Sequence, residues 1–281
     1  MRLLITGAAG MLGIDLCSAA RAAGHDAIGL AHAELDITDA AAVGEAVSAA
    51  EPEVVINCAA YTNVDAAESD SASAFAVNGA GAGILARAAR QADAWVVQVS
   101  TDYVFDGAGG RPYLESDPTG PVSVYGASKL AGEVAVARAA PDAHTIVRCS
   151  ALFGTAGPCF PATMLRLANE RDELTVVDDQ VTCPTLTAHL APALLSIVEG
   201  SSRPLGVLHL TPAGQCSWYE FAVEIIRRAG AGTRIVPGST ADLARPAPRP
   251  AYSVMRSERG APQLPDWRDG LDAYLADRVT V

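Results

Sequence analysis

Short apolar runs alternate with alanine-rich stretches through the first 150 residues of the chain. The runs at 2–6, 26–30, 53–58, 94–100 and 143–149 read as strands, and the stretches between them as helices. Residues 2–6, Arg-Leu-Leu-Ile-Thr, form the continuous apolar segment that a strand buried on both faces needs. Strands alternating with helices predict an α/β fold on a parallel, doubly wound sheet. Pro52 ahead of Val54 and Pro141 ahead of Thr145 mark helix-to-strand turns.

The alternation fades after residue 150. Proline and glycine recur at Gly154, Gly157, Pro158, Pro161, Pro184, Pro204, Pro212, Pro246, Pro248 and Pro250, which predicts a loop-rich second half. Residues 1–150 are therefore expected to form a dinucleotide-binding domain. Residues 151–281 are expected to form a smaller, mainly substrate-binding domain, with about 186–210 returning to the first.

Composition narrows the function without naming it. Half of the 281 residues are apolar, enough for a sizeable core, and no run approaches the ~20 apolar residues of a membrane span. The formal charge of −12 argues against nucleic acid as a partner, because binding phosphate backbones requires clustered Lys and Arg. A small anionic ligand is compatible with it, held by helix N-termini and local cations such as Lys129, Arg148, Arg166, Arg171, Arg249 and Arg256. The six cysteines show no Cys-x-x-Cys spacing, so a cytoplasmic protein with free thiols is expected. The five histidines show no ligand spacing, and no metal is expected; His189 and His209 read as core or surface residues.

Three local patterns carry the chemistry. Gly7-Ala-Ala-Gly10-Met-Leu-Gly13 follows the first strand directly and opens a helix from Met11 to roughly Ala23. In that setting Gly7 permits the tight turn, Gly10 lets the backbone approach a pyrophosphate, and Gly13 lets helix and strand pack closely. The helix N-terminus then offers free N–H groups to the phosphates. In Tyr125-Gly-Ala-Ser-Lys129 the two functional residues lie four apart, on one helix face, where an ammonium can favour the ionised phenol. Thr101 ends the strand Trp95–Ser100, at the sheet edge where ligands bind, and its hydroxyl can bond a carbonyl oxygen.

The spacing Gly-x-x-Gly-x-x-Gly resembles the extended branch of the short-chain dehydrogenase/reductase superfamily. Leu35-Asp-Ile-Thr-Asp39, Asn57-Cys-Ala-Ala-Tyr61, Ser100-Thr-Asp-Tyr-Val-Phe105, Tyr125-Gly-Ala-Ser-Lys-Leu-Ala-Gly-Glu133 and Val177-Asp-Asp-Gln180 are similar to the dTDP-4-dehydrorhamnose reductase family. Gly206-Val-Leu-His-Leu210, Ser217-Trp-Tyr-Glu-Phe221 and Arg249-Pro-x-x-Ser253 extend the similarity over nearly the whole chain. The resemblance implies a Rossmann-type fold with a smaller C-terminal substrate-binding domain. It implies hydride transfer to the C4 ketone of a dTDP-4-keto-6-deoxyhexose, first of all dTDP-4-dehydro-L-rhamnose. Thr101, Tyr125 and Lys129 would be the catalytic residues. The cofactor would meet Gly7, Gly10, Met11, Leu12 and Gly13 at the phosphates and Asp36 and Ile37 at adenine. Ala59, Ala60, Tyr61 and Asn78, with Tyr125 and Lys129, would complete its site. The sugar nucleotide would meet Thr101, Asp102, Tyr103, Ala151, Phe160 and Arg249. NADPH is the expected cofactor, with NADH second, and a homodimer is compatible with the family.

The chain departs from that family on the sugar side. Arg148-Cys-Ser-Ala151-Leu-Phe153 stands where members commonly carry Arg-Thr-Ser-Trp-x-Tyr, Cys159-Phe160 where they carry Asn-Phe, and Thr182 where they carry glycine. Another 4-ketosugar of secondary metabolism is thus the rival substrate. The regulatory β subunit of methionine adenosyltransferase also resembles the family yet acts as a binding partner, so fold alone does not imply turnover. The intact Thr101, Tyr125 and Lys129 favour an enzyme.

Overall fold

The structure is a computed structural model and describes residues 1–200 and 202–279. The five apolar runs become β1 (Arg2–Thr6), β2 (Asp26–Leu30), β3 (Val54–Asn57), β4 (Trp95–Thr101) and β5 (His144–Cys149), each within one residue of its expected ends. A sixth strand, Gly206–His209, adds beside β5, and all pairs are parallel in the order 206–209, β5, β4, β3, β1, β2. The chain runs outward from β1 to β2 and then reverses, placing β3 on the other side of β1. Loops leaving β1 and β3 diverge at this switch point and open a crevice at the carboxyl ends of the strands.

Successive β1 side chains point to opposite faces, and both faces are covered. Leu3 and Ile5 pack with Leu16, Val97 and Leu190, whereas Leu4 packs with Val47, Val55 and Leu85. That double burial is why the strand sequences show no polar alternation. The helix Met11–Ala22 lies against the helix Thr187–Glu199 within the first of these cores.

The second half is more regular than its prolines imply. Four helices, Phe160–Ala168, Thr187–Glu199, Trp218–Arg228 and Trp267–Val279, replace the expected loop-rich segment. Proline is tolerated between elements and in first turns, as at Pro161; Pro192 is the exception, lying inside the helix Thr187–Glu199. Trp218–Arg228 buries the stripe Phe221, Ala222, Ile225 and Ile226 and starts at a Ser217/Glu220 capping box. With Phe153, Trp267, Leu271 and Tyr274 this stripe forms a separate core. Short pairs, 173–177 with 234–238 and 181–182 with 216–217, tie the segments together. Among the described residues no helix is long and apolar enough to cross a membrane.

Candidate active site

The carboxyl ends of β1, β3 and β4 open onto a cleft of about 930 Å³, with the glycine loop and Tyr125 on one side and Ala151, Thr182 and Trp218 on the other. Gly7 adopts φ +67°, and a Cβ there would lie 2.6 Å from the Ala59 nitrogen; at Gly13 it would lie 2.3 Å from the Gly7 carbonyl oxygen. Both glycines are demanded by the fold itself. At Gly10 a Cβ would lie 3.2 Å from the Gly7 carbonyl oxygen, a tight contact but a far milder one than at Gly7 or Gly13, and the position lines the cleft. Gly10 caps the helix Met11–Ala22 without a side-chain bond, and Met11, Leu12 and Gly13 of its first turn line the cleft. A dinucleotide pyrophosphate fits this arrangement.

Helix Val124–Ala139 delivers the other groups. Ser123 caps it by accepting the Gly126 N–H at 3.1 Å, and the Val124 N–H donates to Glu68 at 2.8 Å. A Cβ on Gly126 would meet the Tyr103 carbonyl at 2.2 Å, and one on Gly132 the Asn78 carbonyl at 2.1 Å. Bare backbone lets the helix lie against the turn after β4 at Gly126 and against the π-helical turn Ala76–Gly81 at Gly132. The Tyr103 and Tyr125 rings consequently meet edge to face at 5.8 Å.

Thr101, Tyr125 and Lys129 all line the cleft, but the lysine is not the phenol's counter-charge. Lys129 Nζ donates to the Val99 carbonyl at 2.7 Å, an acceptor it shares with Gln98 Nε2 at 2.8 Å. Burial pushes the Tyr125 phenol up, opposed by the neighbouring Thr101 hydroxyl and reinforced by Cys149, Asp102 and Tyr103. Burial also lowers Lys129. The expectation that Lys129 favours an ionised Tyr125 is therefore corrected for the ligand-free chain: the long side chain reaches down to the strand edge, and desolvation dominates. Tyr125 is a protonated donor, and Lys129 keeps two N–H groups for another partner.

The remaining expected residues separate into two groups. Met11, Leu12, Asp36, Ile37, Ala59, Ala60, Tyr61, Asp102, Tyr103 and Ala151 line the cleft beside the glycines. Asn78, Phe160 and Arg249 stand behind it. Asn78 is buried in a π-helical turn, where it accepts the Tyr61 N–H at 2.8 Å and donates to Ser128 Oγ at 2.9 Å. Phe160 packs on Trp218 with ring centroids 4.6 Å apart, and Trp218 supplies the cleft wall. Arg249 is held by Asp65 through bonds of 3.0 and 2.9 Å, which keep that carboxyl below its usual range. Arg148 and Arg166 are likewise engaged, by Glu133 and Glu170, so three of the six cations suggested for an anion are already paired. Asp36 turns its carboxylate onto the Thr38 N–H and hydroxyl.

Sequence reasoning did not reach several residues of the site. Thr6 Oγ1 donates to Asn57 Oδ1 at 2.7 Å and Asn57 Nδ2 to Gln98 Oε1 at 2.8 Å, a buried chain across β1, β3 and β4 beneath the cleft. Polar residues in otherwise apolar strands, at the ends of β1 and β3 and in the middle of β4, were the available signal. Asp102 itself was expected at the sugar, but its burial and partners were not: it is 2% exposed and receives hydroxyls from Thr101, Thr182 and Ser253, and burial pushes it up to about 6.

Comparisons with known proteins agree with this geometry. A family model described as the RmlD substrate binding domain matches residues 1–280. A dTDP-4-dehydrorhamnose reductase of Streptomyces griseus is 47% identical over 96% of this chain and 91% of its own. A probable dTDP-4,6-dihydroxy-2-methyloxan-3-one 4-ketoreductase of Streptomyces antibioticus is 42% identical over 99% and 95%. The crystal structure of dTDP-4-dehydrorhamnose reductase from Bacillus anthracis in complex with NADP superposes with a TM-score of 0.94 at 37% identity, covering 98% of this chain and 99% of that one. With the glycine cradle, the Thr101–Tyr125–Lys129 constellation and the parallel sheet in place, the chain belongs to the dTDP-4-dehydrorhamnose reductase family.

Proposed function

We propose that this protein reduces the C4 ketone of a dTDP-4-keto-6-deoxyhexose with NADPH, the substrate being dTDP-4-dehydro-L-rhamnose. The observation that carries the reading is the meeting of the Thr101 and Tyr125 hydroxyls and the Lys129 ammonium at the end of β4, beside a glycine cradle. The dinucleotide, when bound, supplies the hydride. Tyr125, kept protonated by burial, donates its proton to the ketone oxygen as negative charge develops there. The two remaining Lys129 N–H groups suit the hydroxyls of a ribose. Thr101 orients the same oxygen from the strand side. In this reading residues 1–150, with the strand Gly206–His209, hold the cofactor, and the rest of 151–281 shapes the sugar site. Six free thiols suit a reducing, cytoplasmic setting.

The test is loss of 340 nm absorbance with NADPH or NADH and a panel of dTDP-4-keto-6-deoxyhexoses. Rapid oxidation with the rhamnose precursor is the expected result. Ala151, a small residue on the cleft wall, favours a second reading in which a different dTDP-linked 4-ketosugar is reduced, and turnover with that sugar alone would establish it. Cofactor binding without turnover of any sugar would point to a regulatory subunit instead.

A further inference from the structure

Thr101 has one proton to donate, and in the structure that proton is directed away from the substrate. Its Oγ1 donates to Asp102 Oδ1 at 3.0 Å and accepts the Tyr103 N–H at 3.2 Å. A hydroxyl donates only once. While the bond to Asp102 stands, the threonine cannot also donate to a ketone. The second oxygen of Asp102, Oδ2, accepts Ser253 Oγ at 2.5 Å and Thr182 Oγ1 at 3.4 Å.

Both of those hydroxyls come from the C-terminal half and arrive together. The Val181 N–H donates to Ala251 O at 2.8 Å and the Ser253 N–H to Val181 O at 2.9 Å, lacing the two segments to each other. Among the described residues no ion pair reaches Asp102, since Lys129 is on the Val99 carbonyl and Arg249 on Asp65. The titratable groups facing it are Tyr103 from the same turn, Tyr125 from the helix, Cys149 from β5 and Cys183 from the segment after Thr182. Burial pushes the phenols and thiols of this set above their ordinary values, so all four are neutral near pH 7.

We propose that Asp102 is a positioning residue whose own protonation decides whether the Thr101 hydroxyl is turned to the carboxylate or free to donate to the substrate's ketone oxygen. The inference rests on the reductase reading above. Ionised, Asp102 accepts the Thr101 proton. Neutral, it carries an O–H on Oδ1 that donates to Thr101 Oγ1, while Ser253 and Thr182 continue to donate to Oδ2; the threonine proton then turns to the cleft. Desolvation pushes Asp102 up to about 6 against the lowering effect of its hydroxyl partners, so both forms are populated at mildly acidic to neutral pH. The neutral form prevails below that value, and turnover that needs a free Thr101 hydroxyl falls as pH rises through it.

Two experiments on the full-length protein test this. Without any ligand, carbon-13 NMR of γ-labelled aspartate follows Asp102, its signal assigned by its loss in Asp102→Asn or by its displacement in Ser253→Ala. The midpoint should lie near pH 6 and rise in both Thr101→Val and Ser253→Ala, because each removes a donor to the anion. A midpoint unmoved by Thr101→Val would overturn the proposal. In turnover, kcat at saturating NADPH and ketosugar should fall several-fold between pH 5 and pH 7.5 in the unmodified enzyme. The profile of Asp102→Asn should be flat, because its amide N–H donates to Thr101 at every pH. A flat profile in the unmodified enzyme, or the same break in the variant, would also overturn it. If NADPH binds but no ketosugar is reduced, the reductase reading falls, while the NMR arm still decides where the Thr101 proton goes.

Discussion

The cleft wall made by the glycine loop, β4 and helix Val124–Ala139 is held by backbone against backbone, whereas the wall made by residues 150–187 is held largely by side-chain hydroxyls. On the first wall, Gly13, Gly126 and Gly132 each stand so close to a carbonyl that a methyl group would fall within 2.1–2.3 Å of it. On the second, Ser150 Oγ donates to Cys183 O at 2.7 Å, Thr185 Oγ1 to the same oxygen at 3.1 Å and Thr187 Oγ1 to Phe153 O at 3.2 Å. Ala151, between them, adopts φ +43°. Contacts at the first wall leave no slack, because interiors are packed as densely as crystals. The second wall is also tight where its hydroxyls bond, a Cβ on Gly154 falling 2.1 Å from Thr187 Oγ1, whereas Ala151 and Thr182 border the open cleft. Of the departures from the family pattern, Ala151, Phe153, Cys159 and Thr182 fall on or behind this second wall, while Cys149 ends β5 beside Tyr125 and Lys129. In the proposed reading the proton donor stands on the first wall and the residues that would face the sugar on the second.

Mutations can break or sharpen that contrast. The largest expected effect is on the first wall, where Tyr125→Phe should lower turnover by a factor of roughly 10² to 10⁴, the usual loss for a general acid, with NADPH affinity nearly unchanged. Unchanged turnover, followed at 340 nm, would remove Tyr125 as proton donor. Next come the glycines, which separate fold from ligand. Gly13→Val should fail to give folded protein, whereas Gly10→Val, with its Cβ pressed against the Gly7 carbonyl oxygen at 3.2 Å, should fold less stably and lose NADPH affinity by roughly tenfold or more, about 1.4 kcal/mol or above. Tight NADPH binding by a folded Gly10→Val protein, measured by calorimetry, would move the pyrophosphate elsewhere. The smallest change is expected on the second wall. Ala151→Trp should alter the ratio of kcat/KM between two ketosugars by roughly tenfold, the scale of a pocket-shape effect, with NADPH affinity constant. An unchanged ranking of sugars would show that this wall does not touch the sugar.

The ion pair Arg148–Glu133 shows what stands behind the first wall. Arg148 Nη2 and Nε bond the two carboxylate oxygens at 2.7 and 2.9 Å, Ser100 Oγ adds a bond at 2.5 Å, and both charged residues are under 5% exposed. A buried pair this fully bonded is costly to break on one side only. Arg148 appeared in sequence as a cation available to an anionic ligand; the fold commits it to Glu133, one turn beyond Lys129 on the helix Val124–Ala139.

What the sequence determined by itself was local. The strands were legible because a strand buried on both faces must be apolar at successive positions, and the glycine loop because a strand, a tight turn and a helix N-terminus follow one another directly. Tyr125 and Lys129 were legible as neighbours because helix geometry places i and i+4 on one face. The helices after residue 150 were obscured by prolines that fall mostly between elements. Tertiary structure alone decided the partners. Lys129 bonds the Val99 carbonyl thirty residues away, Asp102 takes a hydroxyl from Ser253 across 151 residues, and Arg249 is claimed by Asp65 across 184. Hydrogen bonds act over about 3 Å, so a side chain's partner is set by whichever backbone segment folding brings to that distance, and helix or strand periodicity carries no information about it.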